Sequence, residues 1–380
     1  MKICYICGEY PPGPQGGIGT ILHLAAKRLV EKGHQVRVIG VYNDDRYPED
    51  HFWADGVEVY RIRETGKGAV SFFKACYQQY KQIRKWVEDG EVDIIEAPES
   101  RGWFAFWPRM SVPCVLRAHG SETQERLYRG LRPNSFTRYL EEQSYSRADG
   151  YTAISKYSAD AARSVFKLKH PIEVIYYGIE FIDVPQRQRK SNTIAFAGTV
   201  NEKKGVITLI SAAKELLEAK EDFVIDIYGK DGMYNGASMM AYLKGMMRGE
   251  MLDKINFKGP VTREVLFDAY SKCTMAVFPS QWETFGLTPI EAMMCGCPVI
   301  HTTIPTGYEL IDNGNDGLLV DPHDAHELAQ KMMLLLHDGP LRRKLGENGI
   351  LKVKNTFPLD LMCDKLLTFY GNTIQNFEKE

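Results

Sequence analysis

The chain has 380 residues and carries 47 Lys and Arg against 49 Asp and Glu, for a net charge of −2. That length exceeds one ordinary core and suits two domains of ~150–200 residues each. Hydrophobic residues are 44% and charged residues 25%, an ordinary globular composition that gives no global electrostatic reason for a nucleic-acid partner. No window approaches the ~18 uninterrupted apolar residues of a membrane helix. The opening apolar run is broken by Gly8 and Glu9 and is too short for a signal-peptide core. A cytoplasmic protein is expected.

Residues 2–7 read as a strand, and 8–19 as a loop rich in Gly and Pro. Over 20–32, Ile21, Leu22, Leu24, Ala25, Leu29 and Val30 form a helical stripe that Gly33 ends. A strand follows at 36–41, with further short apolar runs at 57–62, 92–95, 114–116, 151–154 and 172–175. Helical stretches separate several of them, the pattern of an α/β domain with a mainly parallel sheet. Residues 183–192 are polar and charged with no apolar period, and read as a linker. The pattern then restarts: strand at 193–196, loop at 198–205, helix at 206–219, and strands at 223–228, 255–257, 275–278, 298–301 and 317–320. The restart is one of architecture, without a residue-level repeat. Two doubly wound domains predict a cleft, because open parallel sheets bind ligands beyond the carboxyl ends of their strands.

Cys4 and Cys7 spell C-x-x-C. They lie within an apolar strand, where residues three apart face opposite sides, and no His or second pair accompanies them. Buried thiols are expected there, and at Cys295 and Cys297.

Each half places a glycine-bearing loop between its first strand and first helix: Gly13-Pro-Gln-Gly16-Gly17-Ile-Gly19-Thr20, and Gly198-Thr199-Val200-Asn201-Glu202-Lys203-Lys204-Gly205. Helix N-termini present unpaired N–H groups and partial positive charge, which favour phosphate. Neither loop spells G-x-x-x-x-G-K-[ST] or G-x-G-x-x-G, so P-loop and dinucleotide sites are unsupported. A lysine ~4 Å from a phosphate oxygen, at an effective dielectric near 20, gains on the order of 4 kcal/mol before desolvation. Lys203 and Lys204 could act so, or form a solvated pair at a turn.

The most specific segment is Glu283-Thr-Phe-Gly-Leu-Thr-Pro-Ile-Glu291, with Ala-Met-Met-Cys-Gly after it. Three readings compete. A retaining glycosidase needs carboxyl groups about 5–5.5 Å apart, whereas eight helical positions span ~12 Å, and Gly286 and Pro289 would interrupt such a helix. A capping box would set Thr288 at N-cap, Pro289 at N1 and Glu291 at N3. That explains Glu291 but not the preceding run. In a ligand site, Phe285, Gly286 and Leu287 would present backbone N–H groups before a helix start. Glu283 and Glu291 would accept hydrogen bonds from hydroxyls.

This segment resembles the E-x7-E motif of retaining GT-B glycosyltransferases of the large family-4 group. The resemblance continues from Pro11 to His34, through Phe196-Ala-Gly198 to Lys204-Gly205-Val, and through Tyr228-Gly229, Phe257-Lys-Gly259 and Pro305-Thr-Gly307-Tyr-Glu309. It covers nearly the full chain in order. It implies the GT-B fold, two Rossmann-like α/β domains facing a cleft. Residues 1–184 would be the acceptor side and 185–357 the nucleotide-sugar side, with 358–380 a helix returning to the first domain. It implies a sugar transferred with retention from a nucleoside diphosphate sugar, UDP before GDP, to a hydroxyl acceptor in cell-surface glycan or glycoconjugate synthesis. Gly16 and Gly17 would lie near the donor phosphates and reacting sugar, and Lys204 on the diphosphate. Glu283 and the N–H groups of Phe285, Gly286 and Leu287, with Thr288 beside them, would hold the sugar or its leaving phosphate. Glu291 would hold the ribose, and His119 would lie close to the reacting sugar. His119, Lys204 and Glu283 are the catalytic candidates.

Two positions depart from the family pattern. Thr199 stands where an arginine usually follows the glycine, and Lys203, Arg117 or another nearby base is expected to compensate. Tyr177 precedes Gly178 where asparagine is common, a change expected to bear on the hinge. No Asp-x-Asp has a suitable setting, and Asp44-Asp45 reads as solvated, so neither a catalytic metal nor a cofactor is expected. A GT-B-like epimerase or phosphorylase, and a sugar-binding protein without chemistry, stay open as alternatives.

On the acceptor side, Phe72, Phe73, Lys74, Tyr77, Tyr80, Lys81, Arg84, Lys85 and Trp86 form an aromatic and basic stretch, and 103–107 and 126–138 add more of both types. Peripheral membrane contact or a lipid-linked acceptor is one reading. A core stripe with a solvated basic face is the other.

Overall fold

The computed structural model describes residues 1–12, 16–42, 50–64, 69–184 and 192–379. Gly13, the Asp44–Asp45 pair and most of the 183–192 linker lie outside the described residues. The chain divides into two units, Met1–Glu180 with Leu359–Glu380, and Phe181–Pro358.

In the first unit the strands are β1 (Lys2–Ile6), β2 (Gln35–Tyr42), β3 (His51–Ala54), β4 (Val57–Arg63), β5 (Ile94–Pro98), β6 (Cys114–Ala118), β7 (Gly150–Ala153) and β8 (Glu173–Val174). They form one sheet ordered β3-β4-β2-β1-β5-β6-β7-β8. All neighbours are parallel except β3 with β4. The order reverses at β1, whose neighbours are β2 and β5, and such a switch point opens a crevice at the strands' carboxyl ends. Ile3, Cys4, Val38, Ile39, Ile94, Ile95, Val115 and Leu116 are buried on both faces of this sheet, as a helix-covered parallel sheet requires. Burial pushes the Cys4 and Cys7 thiols up to about 12, so both are neutral thiols within the core.

The second unit repeats the plan. Its strands are β9 (Thr193–Ala197), β10 (Val224–Tyr228), a small hairpin of β11 (Met233–Tyr234) and β12 (Ala237–Ser238), then β13 (Ile255–Gly259), β14 (Met275–Val277), β15 (Val299–Thr302) and β16 (Leu318–Val320). The main sheet runs β13-β10-β9-β14-β15-β16, with every neighbour parallel. Leu209, Ala212, Ala213 and Leu216 of helix Val206–Glu218 pack with Ile225, Ile227 and Leu328 in one core. Each of the leucine and isoleucine side chains gains roughly 1.5–3 kcal/mol on burial.

The unit boundary falls at Phe181, a few residues before the polar run, because the chain has already docked onto the second unit there. The Lys354 ammonium lies 4.5 Å from the Phe181 ring centroid, and Ile182 N–H points at Met294 Sδ at 3.4 Å.

Helix Leu359–Phe377 belongs to the first unit and packs on helix Gly17–Glu31. Arg28 pairs with Asp360, and Lys32 with Asp364 at 2.8 Å. Beneath these surface pairs, Tyr370 OH donates to Glu96 Oε2 at 2.6 Å and meets Tyr5 OH at 3.1 Å, all buried. Burial lifts the Glu96 carboxyl above its usual range, with Arg117 and Tyr370 pulling it back. Tyr370→Phe removes a donor from a carboxylate that water cannot reach. It should lower stability by about 1–3 kcal/mol, read as an earlier denaturant midpoint. Removing an exposed partner by Asp364→Ala should cost under about 1 kcal/mol.

Candidate functional site

The loops that leave the carboxyl ends of β9, β10 and β14 gather the second unit's polar residues. After β9, Asn201 caps a short 3-10 turn, Glu202–Lys204, by accepting from Lys204 N–H at 3.0 Å. Gly205 follows at φ +68 and starts helix Val206–Glu218 with no side-chain cap. A Cβ at Gly205 would sit 1.7 Å from Pro279 O, so only glycine lets this loop lie against the one after β14. Gln281 N–H then donates to Lys203 O at 2.9 Å.

That contact brings Lys204 to Glu283. The Lys204 ammonium donates to Glu283 Oε1, and Ser280 Oγ donates to the same oxygen at 3.1 Å. Burial tends to raise the Glu283 carboxyl, but Lys204, then Lys203 and His301, outweigh it and hold it below the ordinary range. Glu283 is therefore a carboxylate at neutral pH. The Lys204 stem passes 3.7 Å from a Cβ built on Gly198, beside the half-buried Thr199.

After Glu283 the backbone turns at Gly286, φ +116, and helix Leu287–Met294 begins at once. The capping box does not form. Gly286 is the N-cap, Thr288 lies within the first turn, and no side chain caps the helix. Pro289 sits inside that turn, where its missing N–H costs nothing. Glu291 instead pairs with Arg263, Nη2 to Oε1 at 2.7 Å. Burial raises the Glu291 carboxyl, with Arg263 drawing it down. Phe285 is a packing residue, its ring edge-on to Phe357 at 5.9 Å.

In the first unit, Gly16 is the N-cap of helix Gly17–Glu31 and again no side chain caps it. His119 follows the end of β6. Its N–H and that of Gly120 donate to the Glu99 carboxylate, His119 at 2.8–2.9 Å. Its ring Nδ1 meets Tyr177 OH. Burial, then the Arg117 charge, pushes His119 well below its usual range, so the ring is neutral. A pocket of about 20 Å³ is walled by Ile18, Ile21, Pro98, Arg117, His119 and Tyr177. The helix start next to Gly17 and the histidine thus face one small space.

Both departures from the family pattern acquire a place. Tyr177 touches the candidate histidine itself, rather than acting on a hinge alone. The two bases named as substitutes for the arginine missing at Thr199 have these surroundings. Arg117 is buried in the first unit, 3.9 Å from Glu96 and 5.4 Å from the Tyr177 ring. Lys203 lies 3.9 Å over the Trp282 ring, and its charge adds to the field at Glu283. Sequence reasoning passed over Glu99, Arg263 and His301. Glu99 directly follows β5 and His301 lies within β15, both buried, and a charged or polar residue at such a place is the signal that was available. Arg263 had none.

Residues 179–352 match the family model described as Glycosyl transferases group 1, and residues 15–181 match Glycosyltransferase Family 4. An uncharacterised glycosyltransferase of Methanocaldococcus jannaschii is 25% identical over 340 residues, 88% of each chain. A D-inositol 3-phosphate glycosyltransferase of Salinispora tropica is 25% identical over 95% of this chain and 82% of its own. Among solved structures, sucrose-phosphate synthase from Thermosynechococcus elongatus aligns with a TM-score of 0.83 at 20% identity, over 100% of this chain and 99% of that one. Anabaena HepE in complex with UDP and glucose aligns at 0.76 and 17%, over 98% and 100%. These solved structures establish a shared GT-B fold.

Glu99 gives the site a pH signature. Burial raises its carboxyl from 4.5 to about 7 against the backbone donors that pull it down. Between those values the native state holds a proton that the unfolded chain has released, so this group's contribution falls as pH rises. The stability of the wild type relative to Glu99→Gln should therefore drop between pH 4.5 and about 7 and level off above. A difference independent of pH in denaturant titrations would show that Glu99 ionises normally.

Proposed function

The chain belongs to the glycosyl transferases group 1 and is a nucleotide-sugar-dependent glycosyltransferase, and we propose that it works with retention and without a metal. The donor would be a UDP-sugar first and a GDP-sugar second, and the acceptor a hydroxyl of a cell-surface glycan or glycoconjugate precursor made in the cytoplasm. The observation that carries this reading is the Lys204–Glu283 pair set between two uncapped helix starts at one sheet edge. A diphosphate leaving group builds negative charge as the sugar departs. An ammonium already charged and held in place stabilises that charge with little reorganisation.

Residue roles follow from the chemistry of each group. Lys204 and the N–H groups from Phe285 to Thr288 would hold the diphosphate, with Thr199 as a neutral neighbour. Glu283 would accept from the sugar's hydroxyls and Glu291 from the ribose, each keeping its cation as second partner. Gly16 and Gly17 would let the first unit's helix start approach the donor. His119, neutral and with Nδ1 engaged by Tyr177, keeps Nε2 as its other polar atom for a sugar hydroxyl. The acceptor oxygen forms the new bond to the anomeric carbon on the face the leaving phosphate vacates. Its proton passes to that phosphate, so the pair of carboxylates is not needed as acid and base.

Incubation with UDP-, GDP- and ADP-sugars, with and without acceptors, should release a nucleoside diphosphate only when an acceptor is present. An epimerase would alter the sugar without one, and a phosphorylase would require inorganic phosphate. Lys204→Ala should lower turnover at saturating donor by ~10²–10³. Near-normal turnover would remove Lys204 from the mechanism. Glu291→Ala should weaken donor binding measured by calorimetry by about tenfold or more. Unchanged binding would reduce Glu291 to the structural partner of Arg263.

A further inference from the structure

The first unit contains a cavity of about 280 Å³ that the transfer chemistry does not use. Phe72, Phe73 and Tyr80 of helix Ala69–Glu88 form one wall, and Trp103, Phe106 and Trp107 the other. The rings pack across it: Phe72 to Trp103 at 6.2 Å, Phe73 to Phe106 at 6.1 Å, Tyr80 to Trp107 at 5.3 Å. The rim is open, since Phe106 is 58% exposed. The same helix turns Ala75, Ile83 and Trp86 into the core, which is the core stripe expected for this stretch.

Polar groups at this cavity are few and specific. Arg101 lines it, is exposed, and has no ion-pair partner among the described residues. It sits at φ +67, a region non-glycine residues rarely occupy. Gly102 beside it is wedged in, for a Cβ there would lie 2.5 Å from the Leu140 backbone. Trp103, also in the wall, has its indole N–H buried without a partner. A sugar needs many hydrogen-bond partners, and this wall is largely aromatic, with Arg101 the one charged residue among its described lining residues. Two residues before Arg101, Glu99 holds the backbone of His119 and Gly120, so the cavity is fastened by one short turn to the sheet edge where His119 lies.

We propose that this cavity binds the apolar portion of the acceptor, a hydrocarbon chain whose anionic head group lies at Arg101. Its role as acceptor site rests on the transferase reading above; the binding itself does not.

Calorimetry with decyl phosphate kept below its micelle concentration, with 1-decanol, and with inorganic phosphate separates the contributions. Arg101→Gly removes the cation and relieves the positive φ, so the fold should be kept, with a thermal midpoint no lower than wild type. Decyl phosphate should bind more tightly than decanol or inorganic phosphate, and about tenfold more weakly to Arg101→Gly, with decanol unaffected. Cys76→Phe, which fills the cavity, should weaken both alkyl ligands about tenfold or more while UDP binding stays unchanged. Inorganic phosphate binding as tightly as decyl phosphate would overturn the proposal, as would decyl phosphate indifferent to both substitutions. Binding only to anionic vesicles and not to the monomeric probe would make this face a membrane contact and equally overturn it. If UDP fails to bind while the alkyl ligands behave as expected, the donor reading falls and the cavity stands.

Discussion

The second unit's site depends on a close approach of backbone to backbone. The loop after β9 can lie against the loop after β14 only because Gly205 has no Cβ to meet Pro279 O. Gln281 N–H then closes onto Lys203 O, and the two loops present Lys204 and Glu283 to each other. Without that approach the two charges would be independent solvated groups worth little to each other. With it, they form a half-desolvated pair in which the carboxylate keeps its charge and the ammonium keeps its position. The two uncapped helix starts on either side add the fixed positive ends of backbone dipoles. Pre-positioning of this kind is what a leaving diphosphate requires, because groups that must reorganise during the reaction stabilise charge less.

The first unit solves a different problem, that of charge kept inside a parallel sheet. Glu96 and Arg117 stand on neighbouring strands, both nearly dry. A buried charge persists only with partners. Here the partners form a chain: Tyr5 and Tyr370 on one side of Glu96, Tyr177 over the Arg117 guanidinium, and His119 at the Tyr177 hydroxyl. The returning helix Leu359–Phe377 thus supplies a hydrogen bond as well as an apolar face. The Arg117 charge reaches His119 too, and together with burial it keeps the imidazole neutral. A histidine in that state can exchange hydrogen bonds with a sugar hydroxyl without carrying a charge of its own.

Most of the architecture was legible because parallel strands buried on both faces leave apolar runs that polar loops interrupt. β3 was missed, and its residues show why: an antiparallel edge strand of four residues, His51–Ala54, alternates exposed and half-buried positions and carries no apolar run. The first helix starts at Gly17, three residues before its stripe, because glycines are weak helix formers and hide the start. At the site, the Glu283–Glu291 spacing and the turn at Gly286 could be read from sequence. The partners could not. Arg263 reaches Glu291 from another helix, 28 positions away, and nothing local marks it. The capping-box reading of Thr288 failed because Gly286, at positive φ, starts the helix two residues earlier than the cap signature suggests.

Thr199 leaves an unequal electrostatic arrangement. At about 4 Å and an effective dielectric near 20, one full charge is worth on the order of 4 kcal/mol before desolvation, so losing an arginine there is a large subtraction. The Lys203 ammonium lies 3.9 Å over the Trp282 ring, and its charge helps hold Glu283 below the ordinary range. Besides the Lys203 field, the positive character near Glu283 comes from Lys204 and the helix starts. The helix starts are backbone and cannot move toward a second phosphate. On the proposed reading, a clamp of one mobile cation and fixed dipoles would concentrate the transition-state stabilisation on Lys204 rather than share it. On that reading its counter-ion matters too: Glu283 would hold the ammonium in place through Oε1 and leave its other carboxylate oxygen for the sugar. A carboxylate held below its ordinary range meets both demands, because it stays charged across the whole range in which a nucleoside diphosphate is fully ionised.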